Sequence, residues 1–174
     1  MNERIVIAGF GGQGALTVGH VLAILYMNRG HNVTWMPSYG AEMRGGTCNC
    51  SVIVSDKVIG SPTVSKDATA VLAMNSPSLA KFEKAAAPGG RIIVNTSIIQ
   101  ADVARSDVDV LKADATNIAN ELGNPKVQNM VMLGAYLKNH DFTDAEINQA
   151  LADRFGKDSK LLSVNMDAIK RGKG

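Results

Sequence analysis

Residues 9–14, Gly9-Phe-Gly-Gly-Gln-Gly14, set glycines at the G-x-G-x-x-G spacing (Gly9, Gly11, Gly14), just after an apolar run at 5–8 and just before a helix-like stretch. Glycine lets the backbone turn tightly and lets a ligand come close. A helix N-terminus behind such a turn offers N–H groups and a partial positive charge to an anion. The spacing alone is weak, but here it stands in the strand–turn–helix setting that a phosphate cradle requires. The same glycines would also suit a turn that only packs a helix onto a strand, and both readings stay open. A dinucleotide site adds an acid roughly 20 residues on, for a ribose hydroxyl. None ends the next apolar run, at 32–36, which leads instead into Pro37-Ser-Tyr-Gly-Ala-Glu-Met-Arg-Gly-Gly46.

That second loop holds an aromatic, an acid and a base among glycines, at a strand end, where ligands of open α/β sheets bind. Arg44 could grip a phosphate through its fork of donors. Tyr39 could stack on a flat ring, and Glu42 could steer Arg44 or accept a ligand N–H. Equally, Glu42 and Arg44 could pair with each other or with a partner subunit. The rest of the chain offers little competing chemistry. His20 lies mid-helix among apolar residues and reads as a core or interface residue, while His31 and His140 flank loops and read as solvated. Ser51, Ser97 and Ser106 lack the glycines of a nucleophile elbow. Cys48 and Cys50, two apart on a strand, read as buried thiols on one face. Two thiolates do not complete a four-ligand metal or iron–sulfur site, and no H-x-x-x-H or C-x-x-C spacing occurs. The expectation is a ligand-holding or docking module with no catalytic set and no metal ligands of its own.

The elements that must position these loops alternate between strand and helix, which predicts a three-layer α/β/α, Rossmann-like fold with a mixed, mostly parallel sheet, in one domain over 1–174. Strands are expected at 4–8, 33–36, 47–54, 70–73, 91–94 and 108–113. A hairpin from 47–54 into Val58-Ile59 would make the sheet mixed. Helices are expected at 13–27, at 77–86 behind a Ser76-Pro77 cap, over a short stretch after Asp114, at 128–137, after the capping box Thr143-Asp-Ala-Glu146, and over 159–170. Residues 5–28 carry no charge, yet their glycines leave too short a helix to span a membrane. The helix at 15–27 is apolar nearly all round, which hints that a second protein covers it. With 45% hydrophobic and 20% charged residues the composition is that of an ordinary globular chain, and a net charge of +2 supplies no basic field for nucleic acid. The tail Lys170-Arg-Gly-Lys173 reads as a frayed end. The start lacks the apolar segment and cleavage site of a leader, and with the cysteine usage this reads as cytoplasmic.

Three motifs together, Gly9-Phe-Gly-Gly-Gln-Gly14, Pro37-Ser-Tyr-Gly-Ala-Glu-Met-Arg-Gly-Gly-Thr47 and Asn129-Met-Val-Met-Leu-Gly134, resemble the gamma subunit of 2-oxoacid:ferredoxin (acceptor) oxidoreductases, most of all the 2-oxoglutarate and branched-chain types. The likeness runs from residue 5 to about 155. It implies a complex that decarboxylates a 2-oxoacid on thiamine diphosphate with Mg, sends electrons through iron–sulfur clusters to ferredoxin or a similar acceptor, and passes the acyl group to coenzyme A. In that family the thiamine site and the clusters belong to alpha, beta and, where present, delta partners. The chain agrees in having no Gly-Asp-Gly motif and no cluster-type cysteine run. The resemblance implies coenzyme A in this chain, with Gly11, Gly12, Gln13 and Gly14 as pyrophosphate cradle and Tyr39 and Arg44 as adenosine-phosphate neighbours. It implies docking of alpha and beta through the apolar helices at 15–27 and 128–137, with a homodimer as a state open to the isolated chain. The alternatives are a stand-alone NAD- or flavin-binding reductase and a purely structural subunit.

Overall fold

The apolar run before the glycine turn becomes the middle of the sheet. In the computed structural model, which describes residues 1–40, 46–157 and 159–174, β1 (Asn2–Phe10) is buried on both faces from Ile5 through Ala8. A strand covered on both faces needs such an unbroken apolar stretch. Around it the order is β2-β3-β1-β4-β5-β6, with β2 at Asn32–Tyr39, β3 at Thr47–Ser55, β4 at Ala68–Ala73, β5 at Ala86–Asn95 and β6 at Asp109–Ala113. Three ladders, β1–β4, β4–β5 and β5–β6, are parallel. Two, β1–β3 and β2–β3, are antiparallel. The mixed, mostly parallel sheet is borne out, but by another route than expected. Val58 is 93% exposed and 58–59 form no strand; β3 itself runs back between β1 and β2.

The helical layers are unequal. One face carries α1 (Ala15–Asn28), α3 (Ala115–Glu121), α4 (Gln128–Leu137), α5 (Asp144–Phe155) and α6 (Leu161–Lys173), whose apolar sides share one core with Ile5, Ile7, Val52 and Leu72. The other face carries α2 (Ser76–Phe82) and the short 3₁₀ turn Glu83–Ala85 over Val6, Val71 and Ile92. Both expected docking helices are largely consumed by this arrangement. α4 is buried from Asn129 to Leu137 between the sheet, α1, α3 and α6, so it has no face left for a partner. α1 is covered by the sheet, α4 and α5 of its own chain. It keeps only a half-buried stripe of Leu16, His20 and Ile24, ending in Met27, which is 54% exposed.

Local chemistry explains the remaining differences. The cap of α2 is Asn75, one residue ahead of Ser76, and its side chain accepts from Ser78 N at 2.9 Å. The helix stops at Phe82 and the chain is already pairing with β4 at Ala86. Ser97, in the loop after β5, accepts from Thr116 N and Asn117 N at 3.1 and 3.3 Å and so caps α3, while Asp114 takes the Ser97 hydroxyl. His140 is not solvated: its side chain is 8% exposed, stacks on Tyr136 at 4.3 Å, and its Nδ1–H donates to Tyr136 O at 2.9 Å. The basic tail is not frayed, since α6 continues to Lys173. α4 and α6 cross backbone to backbone at Gly134 and Gly172, where a Cβ on either would overlap a carbonyl oxygen of the other helix. The capping box at Thr143 and Glu146 forms as expected, and Glu146 also takes Arg29 from the end of α1 at 2.7 and 3.0 Å. No helix among the described residues is long and apolar enough to cross a membrane.

Two outcomes follow from this packing. Gly134→Ala will force α6 off α4 and lower the denaturation free energy by about 1–3 kcal/mol; an unchanged denaturant midpoint would count against the crossing. The Arg29 guanidinium and the Thr143 donors hold the Glu146 carboxyl at about 2, below its ordinary value of about 4.3. A depressed folded-state value means the contribution is complete above about 4 and is lost as pH falls toward 2. Melting curves of wild type and Glu146→Gln should therefore differ at neutral pH and converge in acid.

Candidate ligand site at the glycine turn

The carboxyl ends of β1 and β4 lie side by side, and the chain leaves them for opposite faces of the sheet, through α1 after β1 and through α2 after β4. Such a divergence opens a crevice at the sheet edge. Here the crevice is bridged by one side chain. Gln13 Oε1 accepts from Phe10 N and from Asn75 Nδ2, both at 2.7 Å, and Gln13 Nε2 donates to Met74 O at 3.3 Å. The bridge fixes the turn 9–14 against the end of β4.

The backbone amides of the turn divide into two sets. Gly11 N donates to Gly46 O at 2.8 Å and Gln13 N to Phe10 O at 3.0 Å. The amides of Gly12, Gly14, Ala15, Leu16 and Thr17 have no acceptor among the described residues. Gly12 and Gly14 have φ of 98° and 80°, in the left-handed region that glycine reaches without strain. Gly14 is fixed a second way: a Cβ there would overlap the Asn129 carboxamide, which donates from Nδ2 to Gly14 O at 3.4 Å. Asn129 thus reads the turn from the start of α4. The result is a helix N-terminus beside a groove of about 450 Å³ lined by Gly11, Gly12, Leu16, Thr17, Tyr39 and Cys48 among others. A smaller cleft opens on the far side of the same glycines, toward α4 and α6.

The absent acid has a structural reason. In a dinucleotide site the second strand lies beside the first, so that its end faces the turn. Here β3 intervenes between β1 and β2. Strands are spaced by about 4.8 Å, so the end of β2 is displaced by one further strand. The residue brought toward the turn from that end is Tyr39, 71% exposed.

The sequence model of the family described as pyruvate ferredoxin/flavodoxin oxidoreductase matches residues 4–174. The chain belongs to that family. The ketoisovalerate oxidoreductase subunit VorA of Methanothermobacter thermautotrophicus is 34% identical over 97% of this chain, but this chain spans only 35% of VorA. The 2-oxoglutarate synthase subunit KorC of Methanocaldococcus jannaschii is 32% identical over 99% of this chain and 92% of KorC. In fold, the chain is similar to the gamma subunit of a keto/oxoacid ferredoxin oxidoreductase from Geobacter sulfurreducens, with a TM-score of 0.81 and 24% identity, over 98% of this chain and 95% of that one. It is also similar to part of the 2-oxoglutarate:ferredoxin oxidoreductase of Magnetococcus marinus, solved with 2-oxoglutarate, coenzyme A and succinyl-CoA bound. There the TM-score is 0.88 and the identity 23%, over 99% of this chain and 30% of that one. The resemblance read from the three motifs is borne out.

Within this member of the oxidoreductase family, Gly11, Gly12, Gly14 and Tyr39 come together on one groove. Gln13 departs from the expected cradle, because its amide and its carboxamide are both engaged inside the protein; it braces the turn. Gly11 likewise has its amide taken by Gly46. The free donors are therefore shifted toward α1: those of Gly12, Gly14, Ala15, Leu16 and Thr17. Glu42 and Arg44 lie outside the described residues. Sequence reasoning misses Asn75 and Asn129 as supports of the turn, although Asn129 opens one of the three motifs. Neither is close to the glycines in sequence, so only the fold reveals the contact.

Cys48 and Cys50 lie on the α1 face of β3, paired in register with Gly9 and Ile7. Cys48 lines the groove and Cys50 is fully buried beneath Gly19. Burial pushes the Cys50 thiol up to about 12 and the Cys48 thiol up in the same direction. Both stay protonated at about pH 8, where the thiolate is the reactive form. Alkylation by iodoacetamide at that pH should leave Cys50 unmodified in the folded protein and label it only in denaturant; rapid native labelling of Cys50 would argue against its placement.

Proposed function

We propose that this chain is the gamma subunit of a multi-subunit 2-oxoacid:ferredoxin (acceptor) oxidoreductase, of the 2-oxoglutarate class, which oxidatively decarboxylates the 2-oxoacid to an acyl-CoA. The observation that carries this reading is the nearly end-to-end match to the 2-oxoglutarate synthase subunit KorC. On this reading the chain contributes a coenzyme A site and a docking surface. Thiamine diphosphate, Mg and the iron–sulfur clusters sit on alpha, beta and, where present, delta partners, and electrons leave through those partners to ferredoxin or a similar acceptor.

The residues of the glycine turn fit a coenzyme A phosphate. Gly12, Gly14 and the first turn of α1, whose amides lack an acceptor among the described residues, line one groove, and a helix N-terminus favours a negative charge there. The Thr17 hydroxyl adds a donor at the same place, and Tyr39 offers an exposed ring for the adenine. Arg44 is assigned to the same adenosine-phosphate group. The coenzyme, when bound, supplies the thiol that accepts the acyl group; the chain's own part is to hold its phosphates and orient it toward the partners. The partner-facing candidate is the stripe Leu16, His20, Ile24 and Met27 on α1, with Trp35 stacked against His20 at 4.9 Å.

A purely structural role for the turn has its own support in the Gln13 bridge and in the close contact of Gly14 with Asn129. The two readings separate on one variant. Gly12 has open space where a Cβ would stand, so Gly12→Val places its methyls in the groove and strains a left-handed residue. Calorimetry on the assembled complex should show coenzyme A affinity falling by about tenfold or more, the loss of one or two charge-assisted hydrogen bonds. Equal affinity in both complexes would leave only the structural role. The purified chain alone should lack visible absorbance and fail to reduce an acceptor with 2-oxoglutarate and coenzyme A, activity appearing when alpha and beta are added.

A further inference from the structure

The sheet ends at β6, whose outer side pairs with no strand among the described residues. Ala113 turns its carbonyl toward β5, accepting from Thr96 N at 2.8 Å. The register from Asp109 to Ala113 is unbroken. In a parallel ladder alternate residues bond to the same neighbour. Asp109, Leu111 and Ala113 therefore face β5, and the N–H and C=O groups of Val110 and Lys112 point outward. The side chains of those two residues stand beside Ile92 and Val94, on the α2 side of the sheet. α2 itself covers β1 and β4. Over β6 there is only the loop after β5, and a depression of about 500 Å³ remains, lined by Val94, Ile99, Asp102, Val103, Val110 and Lys112 among others. Val110 is 37% exposed. Asp102 and Lys112 are exposed and make no salt bridge among the described residues.

An open edge of this kind accepts another strand, and a lysine on it normally discourages the wrong one. The strand that fits is β6 of a second copy. Two edges joined antiparallel about a two-fold axis keep each face of the sheet continuous, so the register is centred on one residue. Centred on Lys112, it would set two ammonium groups face to face, which is destabilising. Centred on Val110, it would set Lys112 opposite Val108, which precedes β6. Centred on Leu111, it uses the whole strand. Val110 then faces Lys112 of the second copy, and the reverse, and both are the outward residues. Each such pair exchanges two backbone hydrogen bonds. On the opposite face Leu111 meets Leu111. The lysine stem covers Val110 of the neighbouring copy, and its ammonium comes to the depression that holds Asp102. The charges unpaired in one copy are thus paired by two.

We infer that β6 is a self-pairing edge through which two copies of this chain join their sheets, in the register centred on Leu111, with Lys112 of each copy paired to Asp102 of the other. The glycine turn follows β1, three strands from this edge, so the pairing leaves it open, and the inference stands apart from the coenzyme A reading. A contact built on one short strand falls at the low end of interface sizes, where association is weak and depends on concentration.

The test is analytical ultracentrifugation of the full chain over a range of concentrations. Wild type should be monomeric near about 1 µM and largely dimeric by about 500 µM. Val110→Pro removes an outward N–H and no bond to β5, a place where an edge strand accepts proline, and should keep the chain monomeric throughout with far-UV circular dichroism unchanged. Lys112→Glu and Asp102→Lys should each weaken the dimer about tenfold or more, and the double swap should restore most of it. A monomer at every concentration, or a dimer indifferent to Val110→Pro and to both charge reversals, overturns the inference. In the assembled complex, oxidative cross-linking of Leu111→Cys should join two copies of this chain; the absence of that product, or a cross-link to a different subunit, overturns it as well.

Discussion

The side chain of Gln13 joins the ends of β1 and β4, two strands whose connections leave for opposite faces of the sheet. Its carbonyl oxygen takes the Phe10 amide and the Asn75 carboxamide, and its nitrogen reaches Met74 O. Asn75 in turn caps α2, so one carboxamide ties the glycine turn to a helix on the other side of the sheet. Asn129 holds the turn from α4. With Gly11 and Gln13 spent on internal bonds, the conformation of the turn is settled before any ligand arrives. The amides of Gly12, Gly14, Ala15, Leu16 and Thr17 are left without an acceptor among the described residues. On the proposed coenzyme A reading, such preorganisation would let a few backbone donors hold a phosphate, since the ordering has already been done in folding.

The same arrangement accounts for the division of labour along the chain. A 174-residue chain with few aromatics builds its core from aliphatic strands and from α1 and α4, which are apolar on nearly every side. Apolar helices invite the idea of a partner, but here they cover each other and the sheet. On these two helices, the apolar surface left uncovered among the described residues is the stripe on α1 ending in Met27. The uncharged helices therefore explain the stability of this layer, and the polar edge around the glycine turn is where the proposed ligand site lies.

Local signals in the sequence suffice for most elements. The capping box at Thr143, the glycine spacing at 9–14 and the alternation of Cys48, Cys50, Val52 and Val54 each depend on neighbours within a few residues, and each appears in the structure. What depends on distant neighbours is not legible. Nothing near Thr47–Ser55 in sequence says that β3 runs back between β1 and β2, because that choice is made by pairing with strands on either side. Tyr136 lies only four residues before His140, but nothing near either says that Glu3 of β1 comes within 3.9 Å of the ring. Gln13 reads as a ligand residue because it stands among glycines; besides the nearby Phe10 amide its side chain holds Met74 and Asn75, about sixty residues away in the chain.

If the amides from Gly12 to Thr17 stand open to receive the phosphates of coenzyme A, the coenzyme must protect them. Hydrogen–deuterium exchange on the assembled complex, followed through peptides covering residues 10–18, measures those amides one segment at a time. Exchange in that segment should slow markedly on addition of coenzyme A, with little change in the buried strand β1 or in α4. Exchange that is equally fast with and without saturating coenzyme A would show that the turn does not hold it.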